Sequence, residues 1–210
     1  MELRDALGQI AEIREQMVRT SVFRGYRSLP IATTGLLAVG GAIAQTLLLE
    51  NPAENVRVYL KLWIGVAVLS ALVAGTEMLV RYVRTSSPLA RARTRIAVGQ
   101  FVPCLLAGVG ITYALSDRAP EHLWVLPGLW AVVFSLGIFA SRPVLPRPMI
   151  WVAGLYLAGG VANLLLARDA HAFSPLAMAL PFGAGQVLAA IILYWTLERP
   201  DDEARQDTPG

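Results

Sequence analysis

Residues 172–197 read AFSPLAMALPFGAGQVLAAIILYWTL, twenty-six positions without a charged side chain. An α-helix rises about 1.5 Å per residue, so about 20 apolar residues cross a hydrocarbon core roughly 30 Å thick. Five further runs meet that length: 29–49, 62–80, 96–116, 123–141 and 148–167, broken by a single charge, Glu77. The six runs hold 126 of the 210 residues. Helices of a soluble bundle would show a charged face every three or four residues, and these do not. Only 16% of the chain is charged, against about 25% in soluble domains, and the mean hydropathy is +0.54. The expected fold is all-α and integral to the membrane: six transmembrane helices paired as three helical hairpins, with the lipid bilayer as solvent.

Arginine distribution gives the expected orientation, because cytoplasmic loops carry the excess of basic residues. The N-terminal segment, the second and fourth loops and the tail hold fourteen of the eighteen basic residues; the other side holds Arg57, Lys61, Arg118 and Arg168. Both termini are expected to be cytoplasmic. Tyr59, Trp63, Tyr113 and Trp124 fall near outer ends, and Tyr26, Tyr82, Trp151, Tyr194 and Trp195 near inner ends, as interfacial aromatics do. Trp130 and Tyr156 lie too deep to fit that pattern. The first 28 residues are too charged to form a signal-peptide core. Seventeen of the eighteen basic residues are Arg, a composition that points to a bacterial inner membrane. Loop arginines account for the +3 net charge, and no nucleic-acid partner is implied.

Three regions follow: 1–28, an amphipathic cytoplasmic helix and linker; 29–197, the six spans; and 198–210, an acidic tail expected to be disordered. Leu3, Leu7, Ile10, Ile13 and Met17 recur at steps of 4, 3, 3 and 4, which makes one apolar stripe. Residues 1–20 are therefore expected to lie on the membrane surface or to dock on a partner, on a second copy or on the protein's own loops, their four acids arguing against lipid. A faint repeat aligns Gly35–Gly41 with Gly154–Gly160, and Leu126-Pro127-Gly128 with Leu180-Pro181-Phe182-Gly183.

No nucleotide-binding, hydrolase or metalloprotease motif occurs, and no cofactor is expected. Cys104, the one cysteine, reads as a packing residue. His122 beside Glu121 and His171 near Asp169 read as solvated loop residues rather than metal ligands. Glu77, the only acid inside a span, is expected to pair with Arg81 one turn on, in the favourable order for such pairs. The amides Gln45, Gln100, Asn163 and Gln186 need partners away from water and should face other helices. Glu77, Arg81, Gln45, Asn163 and Gln186 thus form the candidate intramembrane polar site. Pro103, Pro127 and Pro181 should disturb their helices, the last most, beside Gly183 and Gly185. Three functions remain open: a non-enzymatic membrane subunit or regulator acting through a protein partner, favoured by the amphipathic stripe; a small-solute transporter using the polar site; and a membrane enzyme without a recognisable motif.

Overall fold

The computed structural model describes residues 28–167 and 169–199. It is helical, with no strand among the described residues. Six helical segments are long and apolar enough to span a membrane: α1 (Ser28–Leu48), α2 (Val56–Arg84), α3 (Pro88–Arg118), α4 (Leu126–Ala140) together with the turn Pro120–Val125 before it, α5 (Met149–Leu166) and α6 (Pro175–Glu198). The stripe in residues 1–20 and the tail from residue 200 lie outside the described residues.

Local chemistry explains the boundaries. α4 alone has 15 residues and would reach only about 22 Å. It is lengthened by the 3-10 turn Pro120–Val125 that runs into it. Pro127 sits within the first turn of α4, where a missing N–H costs nothing. The expectation that Pro127 disturbs a span is therefore wrong. α2 and α3 run well past their apolar stretches, at 29 and 31 residues, or about 44 and 46 Å. No Gly or Pro stops them at Val80 or Ile96, so the helix continues into the charged residues. Extended Thr85 ends α2, and Pro88 opens α3.

The connections at 85–87 and 141–148 lie at one end of the molecule, with Arg81, Arg84, Arg91, Arg95, Arg142 and Arg147 around them. This is the arginine-rich end. The helices pack as an open arc in the order α2, α1, α6, α5, α4, α3, and the arc's two end members barely touch. One apolar core lies at the opposite end, around Tyr59, Trp63, Leu126 and Phe173. A second, toward the arginine-rich end, gathers Ile138, Met149, Val152, Tyr156 and Leu193. α4 and α5 pack closely through glycines. A Cβ on Gly128 would stand 2.8 Å from the Gly160 carbonyl oxygen, and one on Gly160 would stand 2.8 Å from that of Gly128. Gly41, aligned with Gly160 in the sequence repeat, meets Val66 of α2 instead, so the two positions serve different contacts.

Beyond Trp63, α2 buries nothing for its remaining 21 residues, and among the described side chains of α3 only Ala97 is buried. Met78, Ile96, Ala97 and Val144 form a small third cluster that pins the two helices at the arginine-rich end.

Candidate polar sites among the helices

Gln45 is fully buried on α1. Its Nε2 donates to the Phe173 carbonyl at 2.6 Å, and its Oε1 accepts from Trp63 Nε1 at 2.8 Å. One amide thus ties α1 to α2 and to the turn that leads into α6. Tyr59 packs edge-on against Phe173 at 5.0 Å and closes the apolar shell around it.

Asn163 on α5 donates from Nδ2 to the Ala177 carbonyl at 2.8 Å. In a regular α-helix that carbonyl would accept from the residue four positions on. That residue is Pro181, which has no N–H. Asn163 therefore satisfies the acceptor that Pro181 orphans. Past this point α6 widens into π-helix over Ala179–Ala184 and again over Tyr194–Glu198, so the sixth span is irregular, as its Pro and Gly content suggests.

Gln186 lies deeper on α6, where a Cβ on Gly35 would come within 3.1 Å of the Gln186 Cβ. It is beside the Tyr156 hydroxyl, which is buried and makes no hydrogen bond of acceptable geometry. Tyr156 sits among Phe134 at 4.8 Å and Phe182 at 5.2 Å, and Phe101 extends the aromatic group from α3. Its depth, odd for an interfacial tyrosine, follows from this ring packing. Trp130 is deep for a similar reason: its Nε1 donates to Thr112 Oγ1 across the α3–α4 contact at 2.9 Å.

Glu77 and Arg81 form an ion pair, Nε to Oε1 at 2.6 Å, with side chains 36% and 32% exposed. Both follow the stripe of α2 that begins at Tyr59 and Trp63 and passes Ser70 and Ala74, all at helical spacing. The pair thus lies on the face of α2 that carries Tyr59 and Trp63, beyond the last residue that α2 buries. The Gln100 amide oxygen and the Ser141 hydroxyl are also buried without a hydrogen-bond partner.

The five candidate residues do not converge on one site. Gln45 and Asn163 bond the same backbone segment, at Phe173 and Ala177. Gln186 faces Tyr156, and the Glu77–Arg81 pair stands apart on α2. His122 Nδ1 lies 3.1 Å from Glu121 Oε1 in the open, and no group of three metal-type side chains occurs among the described residues. Sequence reasoning missed the clasp between the start of α1 and the end of α6. Ser28 donates its N–H to Glu198 Oε1 at 2.7 Å and its Oγ–H to Oε2 at 2.8 Å. A carboxylate there satisfies the Ser28 N–H at the start of α1 and complements the helix dipole. The only signal was an acid placed immediately after the last apolar run.

No protein-family model, curated protein or solved structure matches this chain.

Proposed function

We propose that the chain is a multi-pass protein of the cell membrane, in a bacterial setting the inner membrane, with both termini cytoplasmic. In this reading it is a non-enzymatic subunit or regulator that works through a protein partner. The observation that carries the reading is the bareness of α2 and α3. Their spans bury 17% and 6% of their residues, against 28–44% for the other four. Gly65, Gly75, Gly99, Gly108 and Gly110 all lie on these two helices, and a Cβ on any of them would meet nothing within 4 Å. A helix glycine costs about 1 kcal/mol relative to alanine. Five uncovered glycines suit a surface that another helix approaches closely. The buried amides Gln45 and Asn163, by contrast, are already engaged in holding the helices together.

Residues 1–20 give the partner a second handle. Deleting residues 2–20 should leave the six spans inserted and folded while a co-purifying protein is lost. Photo-crosslinkers at Gly75 and Gly108 should capture that same protein in the membrane. Partner retention after the deletion, with no crosslink from either position, would overturn the reading. A transporter using Glu77 would instead keep solute flux in vesicles after the deletion and lose it in Glu77→Gln.

A further inference from the structure

The connection between α4 and α5 is a fixed turn. Val144 and Leu145 donate their N–H groups to the Ser141 carbonyl at 3.0 and 3.2 Å, and Met149 donates to Pro146 at 3.0 Å. Val144 and Leu145 are buried under it. Beside the turn, between the ends of α4 and α5, lies a shallow cleft open to one side. Phe139, Leu145, Met149 and Ile150 line it, and Arg142 is the one charged residue on its wall. Arg147 emerges from the same turn. Both arginines are exposed, and neither guanidinium has an acidic partner among the described residues. The cleft thus joins an apolar wall to two uncommitted cations at the level where the apolar part of the helices ends.

We propose that this cleft binds an anionic phospholipid, one acyl chain lying across its open side against Phe139 and Ile150, over the buried Leu145 and Met149, and the phosphate held by Arg142 and Arg147. The inference rests on the membrane reading above. A free phosphate is excluded as the natural occupant, because it would leave Ile150 and the outer face of Phe139 uncovered. A polar solute is excluded on the same ground. Hydrocarbon is what a bilayer supplies at that depth, and a guanidinium pairs with a phosphate oxygen through fixed, forked donors. Because the turn is hydrogen-bonded along its length, the backbone from which both arginines emerge is ordered before the lipid arrives, which lowers the ordering cost of binding. A basic pocket between helices at the cytoplasmic side is a setting in which lipid headgroups are recognised.

The test uses full-length protein in mixed micelles containing phosphatidylglycerol and phosphatidylcholine, read by native mass spectrometry. Wild type should retain phosphatidylglycerol in preference. A surface arginine contributes about 1 kcal/mol to an anionic headgroup, so each removal should weaken retention about fivefold. Arg142→Gln with Arg147→Gln should therefore lower phosphatidylglycerol affinity by roughly thirtyfold and leave phosphatidylcholine binding unchanged. Arg84→Gln with Arg95→Gln, at the same end but on α2 and α3, should retain wild-type preference. Ile150→Trp, which narrows the cleft and keeps both cations, should weaken both lipids. Equal loss in the Arg84/Arg95 pair would mean a diffuse charge effect and overturn the site, as would no anionic preference in wild type. Inorganic phosphate displacing the lipid at equal concentration would also overturn it. A chain recovered in the soluble fraction would overturn the membrane reading itself, and the site with it.

Discussion

Replacing Gly160 by alanine tests whether the α4–α5 contact is as close as described. The added Cβ would lie 2.8 Å from the Gly128 carbonyl oxygen, 2.8 Å from Val132 Cγ2 and 2.9 Å from the Val132 nitrogen. Two of these three are backbone atoms, which cannot swing aside as a side-chain tip can. Ordinary contact begins near 3.4 Å, so the helices must part by about 0.5 Å. Such overpacking costs about 1–3 kcal/mol, and parting by that amount forfeits about a quarter of the dispersion energy along the seam. Alanine's better helix propensity returns at most about 1 kcal/mol. The net expectation is a loss of about 1–2 kcal/mol. Gly154→Ala, on the same helix with nothing within 4 Å, gains the propensity without the clash and should be neutral or slightly stabilising. Reversible unfolding in mixed micelles, followed by far-UV circular dichroism, reads the difference. A Gly160→Ala protein as stable as Gly154→Ala would refute the contact.

Gln45→Leu strands Trp63 Nε1 and the Phe173 carbonyl in the core, and should cost about 2 kcal/mol in the same titration, with a shift in tryptophan emission. Asn163→Ala should destabilise the wild type, yet much less in a Pro181→Ala background, where residue 181 regains an N–H; coupling of about 1 kcal/mol is expected, and additive effects would sink the assigned role of Asn163. Because the Glu77–Arg81 pair is about a third exposed, Glu77→Gln and Arg81→Gln should each cost under about 1 kcal/mol. A normally folded Glu77→Gln protein that lost a coupled flux would favour transport. Reporter fusions after Arg91 and Arg205 should be cytoplasmic, and those near Glu54, Arg118 and His171 external; one reversed loop refutes the topology.

The six long apolar helices were legible because the bilayer length criterion needs only uncharged runs, and it located each of those six. It could not locate the ends of α2 and α3, because helix propensity rather than apolarity carries the backbone on to Arg84 and back to Pro88. The need of Gln45 and Asn163 for partners was legible. The identity of those partners was not, since both acceptors are backbone carbonyls set free by a turn and by a proline 18 residues away. Pro127 misled because a proline's effect depends on its distance from the helix start, and the 3-10 turn that moves that start carries no separate hydropathy signal. The Ser28–Glu198 clasp joins positions 170 apart, and nothing local in either segment announces the other.

That separation has a consequence for biogenesis. α1 packs along α6 through Gly35, and the clasp closes only when Glu198 exists. At roughly 5–20 residues per second, the ribosome needs about 10–30 s to make the 170 residues in between. Throughout that interval α1 has α2 as its sequential neighbour and an uncovered face around Gly35 and Ala38. The pairing of α1 with α2 and the packing of α3, α4 and α5 need no part of α6, but the two groups are joined into one arc only when α6 arrives between α1 and α5. A chain cut short before α6 would therefore leave two separate helix groups, with the face of α1 around Gly35 uncovered.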